Sequence, residues 1–269
     1  PCSHHGKTPP CADLIIERGL KRVVIGMQDV NPIVAGNGIR KLKNAGIEVV
    51  EHVLEDECKI LNEVFIKNMT QKKVFVAIKT ATTLDGKIAT QNGSSKWITS
   101  EKAREEVKAI RNRYDAIMTS SATILADNPT MLHRKKIILD RKLRTNLEAP
   151  IYKNGEIYLF NDSLDMFEGG VNFIKTPVHD DKLDLEFVFN KAYELGIKSV
   201  LVESGGHLAG SALMYADKIY HFIAPKITGD NRSLSCFDFQ QIDDINKSLN
   251  FKFSDIKSFE PDILVTYYR

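Results

Sequence analysis

A disulfide framework, a membrane-spanning run and a basic tract are all absent from this 269-residue sequence. Its four cysteines, Cys2, Cys11, Cys58 and Cys236, are too few and too scattered for a disulfide scaffold, so a reducing cytoplasm is the expected compartment. No apolar run approaches the ~18 residues needed to cross a bilayer, and no secretory signal pattern is present, so no membrane partner is expected. Lysine and arginine number 37 against 35 acidic residues, a net charge of +2, which leaves no basic excess for a nucleic-acid backbone. Tryptophan occurs once, at position 97. No methionine precedes Pro1, and the second residue is already a candidate metal ligand, so the sequence reads as a fragment or as the ordered part of a longer chain.

What is present is ordinary for a globular protein: 43% apolar and 27% charged residues. The length suits two domains or one large one. Val23–Met27 and Ile47–Val53 read as strands, and Asn37–Asn44 and Glu55–Met69 as helices, the latter with Cys58 on its apolar face. This alternation suggests part of an α/β layer domain, with a junction at Gln71–Lys73.

The most informative stretch is VFVAIKTATTLDGKIATQNGSSKWIT, from Val74 to Thr99. Val74–Ile78 is an apolar, β-prone run, and Lys79 breaks it at the expected carboxyl end of a strand, where open α/β sheets present ligand-contacting groups. Asp85-Gly86 marks a turn. The plain alternative is a strand-turn-strand with Trp97 in the core. Ser100 then caps a helix carrying Ala103, Val107, Ile110 and Tyr114 on one stripe, with Arg111 one step off it. Asp115–Thr119 reads as a strand running into SSATILADNP, whose small hydroxyl residues suit a polar ligand. A further strand, Lys136–Asp140, ends before Arg141 and Lys142, which either meet a ribose 2′-phosphate or are surface charge. Near the carboxyl end, SVLVESGGHLAG (Ser199–Gly210) places Glu203 and a Gly-Gly turn between a strand and a helix, where free backbone N–H groups can approach a pyrophosphate. Lys218–Ala224 and Ile263–Tyr268 read as closing strands, and residues 230–250 are polar and loop-rich with no functional reading.

At the amino end, PCSHHGKTPPC holds two cysteines amid prolines and a glycine, with Cys11 at the start of a helix over Ala12–Arg18. Paired thiolates bind zinc. Two unrelated cysteines beside surface His4 and His5 would give the same pattern. This segment resembles the zinc segment of the bifunctional riboflavin-biosynthesis deaminase/reductase family, whose deaminase half is cytidine-deaminase-like. The order TLDG…SKWIT…VESGG-LAG resembles the reductase half, and together the resemblance covers nearly the whole chain.

The resemblance implies an α/β architecture in two parts. A partial cytidine-deaminase-like α/β/α layer domain spans residues 1–70, and a dihydrofolate-reductase-like mixed-sheet domain spans 71–269. It implies Zn²⁺ on Cys2 and Cys11. The family's third ligand and its glutamate lie in an upstream H-A-E motif that occurs nowhere in this sequence. It implies NADPH-dependent reduction of the ribosyl side chain of 5-amino-6-(5-phosphoribosylamino)uracil, with Lys79 and Glu203 at the reacting end. Ser95, Arg111, Met131 and Arg134 would contact this phosphoribosylaminopyrimidine substrate, the arginines suiting its phosphate. Ala81, Trp97, Thr123, Asp127 and Arg141 would line the cofactor, with Gly205, Gly206, His207, Leu208, Ala209, Gly210 and Ser211. His207 fills a variable slot in that pattern. Related chains carry more residues between the arginine matching Arg134 and the next strand, so a segment is expected to be missing there. A homodimer is expected. Two other readings stay open, a stand-alone reductase carrying a degenerate deaminase remnant and a non-catalytic dinucleotide-binding module.

Overall fold

The computed structural model describes residues 1–269 apart from 6, 7 and 33. The chain separates into two compact units, Pro1–Lys73 and Val74–Arg269.

In the first unit, α1 (Cys11–Glu17), β1 (Arg22–Val24), α2 (Asn37–Asn44), β2 (Glu48–Val50), α3 (Glu55–Leu61) and α4 (Glu63–Gln71) follow one another. The two strands pair in parallel, Val23 opposite Val49. A small cluster of Ala12, Leu42 and Ile47, flanked by Ile15, Ile16, Val23 and Val49, holds them to the helices. The single helix expected over 55–69 is two, because the Asn62 side chain donates to the Cys58 carbonyl (2.8 Å) and competes with the helical ladder. Cys58 is half-buried and packs on Gly26, where a Cβ would meet its sulfur.

The second unit is built on a ten-stranded mixed sheet. Its elements in chain order are β3 (Phe75–Thr83), β4 (Lys87–Ala89), α5 (Glu101–Arg111), β5 (Ala116–Ser120), α6 (Ser121–Asp127), β6 (Lys135–Leu139), β7 (Glu156–Asn161), β8 (Met166–Glu168) and β9 (Val171–Lys175). There follow β10 (Val178–His179), β11 (Lys182–Leu183), α7 (Leu185–Glu194), β12 (Ser199–Val202), α8 (Gly206–Ala212), β13 (Lys218–Ala224), β14 (Leu234–Ser235), β15 (Lys252–Ser258) and β16 (Ile263–Tyr268). The sheet order is β15-β16-β13-β3-β12-β5-β6-β7-β9-β8. Strands β13 through β9 in that order run parallel, and antiparallel partners close both edges.

Central strands buried on both sides read as near-continuous apolar runs, which is why Val74–Ile78 and Ser199–Val202 are so plain in the sequence. Alternate residues serve opposite faces. Val76, Ile78, Met118 and Val202 join Val188, Phe189 and Ala209 in one cluster, and Ile117, Ile138 and Ile157 join Ile124 and Ile151 in another.

β3 runs past Lys79 to Thr83, because the threonines of TATT are strand formers and pair with β13 as far as Ala224. Lys79 is therefore mid-strand, not at a strand end. Its neighbour β12 stops pairing at Val202 opposite Ile78, so Lys79 emerges at the lip left by that shorter strand.

Residues 230–250 acquire a role here. β14 pairs with β4, and the segment following it lies on α8. The Asp238 N–H donates to the Gly206 carbonyl at 3.0 Å. A Cβ on Gly206 would sit 2.2 Å from the Ser235 carbonyl oxygen, and one on Gly210 2.4 Å from that of Asp238, whereas Gly205 faces open space. Gly206→Ala and Gly210→Ala should each cost about 1–3 kcal/mol by forcing backbone apart. Gly205→Ala should leave the melting temperature nearly unchanged. Equal melting temperatures for all three variants would contradict this packing.

Candidate active site

The parallel register sets a row of polar side chains across one face. Ile78 lies opposite Val202, and the Glu203 N–H continues the ladder by donating to the Met118 carbonyl at 2.9 Å. Tyr220 is the register partner of Lys79 on the other side. Lys79, Glu203 and Thr119 thus follow directly on three neighbouring pairing ends, with Tyr220 beside them.

Glu203 is buried, and Arg111, the last residue of α5, grips it with both arms of its guanidinium: Nε to Oε1 at 2.6 Å and Nη2 to Oε2 at 2.8 Å. Burial pushes the Glu203 carboxyl up, but the Arg111 hydrogen bonds and the Lys79, Arg111 and His133 charges outweigh it and hold it below the ordinary carboxylate range. Lys79 is half-buried; burial lowers its pKa, Glu203 pulls it back up and Arg111 pushes it down. Its Nζ lies 5.8 Å from the centre of the Phe222 ring. The Thr119 hydroxyl is buried without a hydrogen-bond partner among the described residues, an open polar valence in the same row.

His133 stands out only in three dimensions. Its Nε2 lies 3.2 Å from the Arg111 carbonyl oxygen and its Nδ1 2.9 Å from that of Lys135, tying the end of α5 to the start of β6. An isolated histidine between Met131 and Arg134 gave no periodic or motif signal. Arg134 is exposed. Met131 is not at an open surface: it is 8% exposed and packs with Ile117, Ile124 and Ile138.

Beyond the row, the two loops singled out in the sequence meet. The Gly205 N–H donates to Thr123 Oγ1 at 3.3 Å, and Ser120 caps α6 through Thr123. Asp127 closes α6. Of the run 205–211, Gly205 and His207 are exposed, Leu208 and Ser211 are half-buried, and Gly206, Ala209 and Gly210 are buried. The buried three serve packing: Ala209 belongs to the core, and the two glycines admit the 235–238 backbone. His207 pairs with Asp238 at 2.7 Å on the surface. Gly205, with a free Cβ position and an N–H at the loop junction, fits close approach of a dinucleotide backbone.

Arg141 is taken up by Asp181 (2.9 Å) and Asp162 (4.0 Å), which leaves it poorly placed as a free phosphate ligand. The cation beside the loop pair is Arg144, whose Nη2 donates to Ser121 Oγ at 2.8 Å. Trp97 is 63% exposed rather than core, and stacks under the Arg104 guanidinium at 4.4 Å while its carbonyl accepts from Lys226 Nζ at 2.7 Å. Ser95 is half-buried in the same loop, and Ala81 lies two residues along β3 from Lys79 on the same face.

Asp85 braces that loop. Its carboxylate accepts from Thr83 Oγ1 (2.6 Å), the Thr228 N–H (3.2 Å) and hydroxyl (2.9 Å), and the Gly229 N–H (3.0 Å). The Asp85-Gly86 turn is thereby tied to residues 228 and 229, just beyond the end of β13.

In the first unit, the Cys11 N–H donates to Cys2 Sγ at 3.2 Å, and this hydrogen bond leads the causes that hold the Cys2 thiol below its ordinary value. No group of three histidine, cysteine or acidic side chains able to hold a metal exists among the described residues. Two thiols are half of a tetrahedral zinc site. No helix among the described residues is long and apolar enough to cross a membrane.

This ten-stranded mixed sheet with flanking helices has the α/β architecture of the RibD/dihydrofolate-reductase-like fold class. The RibD C-terminal domain model matches residues 74–265. The riboflavin biosynthesis protein RibD of Actinobacillus pleuropneumoniae is 38% identical over 99% of this chain and 76% of its own length. Among solved structures, a Thermotoga maritima diaminohydroxyphosphoribosylaminopyrimidine deaminase/5-amino-6-(5-phosphoribosylamino)uracil reductase superposes with a TM-score of 0.87 at 39% identity, covering 100% of this chain and 77% of that one. Acinetobacter baumannii RibD gives 0.84 at 31%, covering 100% and 78%. The chain belongs to the RibD family of bifunctional riboflavin-biosynthesis deaminase/reductases, and is shorter than its full-length relatives. The alignment with the Actinobacillus protein runs over 285 positions against 269 residues here, so the relative carries internal residues that this sequence lacks.

The hydrogen bonds on Asp85 hold its carboxyl well below the ordinary range, so its clamp should persist as pH falls to about 4 and weaken only below that. Amide exchange at Thr228 and Gly229 should be slow at pH 4 in the wild type and fast in Asp85→Ala. Indistinguishable exchange in the two proteins would remove the brace from the account.

Proposed function

We propose that the Val74–Arg269 unit reduces the ribosyl side chain of 5-amino-6-(5-phosphoribosylamino)uracil to the ribityl form, with NADPH as reductant. The observation that carries this reading is the convergence of Lys79 and Glu203 on adjacent strands of one sheet face, within electrostatic reach of each other. NADPH supplies the hydride. The residues of this chain supply position and proton control.

Opening of the sugar ring exposes an electrophilic C1′ and leaves an oxygen that must gain a proton. Lys79 is the donor best placed for this: half-buried, with its ammonium favoured by Glu203 and disfavoured by burial and by Arg111, it is more acidic than a surface lysine. Glu203, held ionised, orients the sugar hydroxyls and keeps charge balance as the proton leaves. The unpartnered Thr119 hydroxyl offers a further hydrogen bond in the same row. Exposed Arg134 suits the substrate phosphate. Gly205 and Thr123 would hold the cofactor backbone, with Ala81 and Trp97 along its length. Hydride transfer needs donor and acceptor carbons roughly 3–3.5 Å apart, so most of the acceleration comes from this positioning.

Lys79→Ala should lower kcat on the order of 10²-fold or more while changing the NADPH dissociation constant far less. Turnover within about threefold of wild type would show the role to be misassigned.

The deaminase activity of the family falls to the first unit, where Cys2 and Cys11 would supply two of three protein ligands. Elemental analysis should find little tightly bound zinc on the 269-residue chain and near-stoichiometric zinc once an upstream H-A-E segment is joined to it. The same zinc content in both would contradict the half-site reading.

A further inference from the structure

We propose that β15 is the surface through which two copies of this chain join, edge to edge, around a two-fold axis at Ile256. The proposal is independent of the reaction assigned above, because β15 holds none of the residues placed in that site.

A strand at the edge of a sheet offers a row of unused backbone N–H and C=O groups to any other strand. Proteins guard such edges by keeping them short, by covering them, or with proline, charge and bulges. At one edge of the ten-stranded sheet, β8 is only three residues long. At the other, β15 runs for seven residues, Lys252–Ser258, and every one is exposed. Its inner side is paired with β16, from Lys252 opposite Tyr268 to Ser258 opposite Ile263. Two large apolar side chains lie along it, Phe253 at 63% exposure and Ile256 at 54%.

The guards on this strand are slight. It contains no proline, and its one irregularity falls between Phe253 and Asp255, so Asp255–Ser258 is regular. Lys252 lies beyond that irregularity. Lys257 does not stand out from the edge, since its Nζ lies 3.4 Å from Glu106 Oε1 on α5. A long edge carrying apolar side chains and left open in one chain is a template for pairing.

The sequence of the strand selects its own copy as partner. Lys257 reaches α5, so Lys257 and Asp255 point to the α5 face and Ile256 to the opposite one. In antiparallel pairing, residues directly opposite share a face, so the axis passes through a residue and not between two. An axis at Asp255 would set that carboxylate against itself, and an axis at Lys257 would oppose two ammonium groups. An axis at Ile256 places Ile256 against Ile256, and Asp255 against Lys257 in both directions. Of the three, only this register joins apolar to apolar and opposite charge to opposite charge. It makes two ten-stranded sheets continuous, with both α5 helices on one side. Strands β15, β16, β13 and β3 are consecutive, so the second copy seals the edge three strands from Lys79.

The test is analytical ultracentrifugation of the 269-residue chain over a concentration series, with amide hydrogen exchange on the same samples. Wild type should sediment as a dimer, and its β15 amides should exchange more slowly at dimeric than at monomeric concentrations. Ile256→Glu, which sets two carboxylates on the axis, should raise the dissociation constant on the order of 100-fold or more. Asp255→Lys and Lys257→Asp should each sediment as monomers, because each puts like charges in both pairs. Mixed in equal amounts, these two variants should dimerise, because each restores the complement of the other. Wild-type circular dichroism in every variant checks that the fold is kept.

A wild type that stays monomeric at every concentration would overturn the proposal. So would a dimer that all three variants form as tightly as wild type, or one whose β15 amides exchange as fast as in the monomer. Charge variants that stay monomeric when mixed would overturn the register at Ile256.

Discussion

Everything at the candidate site depends on the parallel register of three neighbouring strands. Because β12 stops one residue short of Lys79 and the Glu203 N–H still bonds to β5, an amine, a carboxylate and a hydroxyl are delivered side by side without any loop having to place them. Rigid strands hold such groups more tightly than loops do. The Arg111–Glu203 fork then locks this row to α5, so the helix that covers the sheet also sets the charge of the site. A buried carboxylate beside a lysine is costly by itself. Its persistence here requires the arginine.

Around that rigid row the ligand-facing backbone is assembled from segments far apart in sequence. Gly205 and Thr123 join two loops by a single hydrogen bond. The 235–238 segment presses against α8 so closely that only glycine fits at 206 and 210. Asp85 ties the turn after β3 to residues 228 and 229. Each contact is modest. Together they hold the mobile-looking, polar parts of the chain to the sheet, which is what a reaction governed by positioning requires.

Much of this was legible in the sequence. The buried strands announce themselves as apolar runs, and the lysine and glutamate that interrupt or end them are conspicuous because charge in such a run needs a reason. What was not legible has particular causes. Helical periodicity places Arg111 beside an apolar stripe but says nothing of a carboxylate ninety-two residues away. A glycine pair before a helix looks the same whether it admits a ligand or a neighbouring backbone, and only Gly205 is left open to a ligand. Met131, expected against the substrate, is buried in the core, and Trp97, expected along the cofactor with a core position as the plain alternative, is exposed on Arg104, since residue type alone does not decide exposure in a loop. β15 escaped notice because it is an edge strand exposed at every residue, with no alternation to reveal it.

The most direct test of the central claim is a crystal structure of the chain with NADPH and an unreactive analogue of the phosphoribosylaminopyrimidine. The account predicts the sugar carbon C1′ between Lys79 Nζ and the Glu203 carboxylate, the nicotinamide against it, and the cofactor phosphates over Gly205. A sugar bound away from the Lys79–Glu203 row, touching neither side chain, would contradict it.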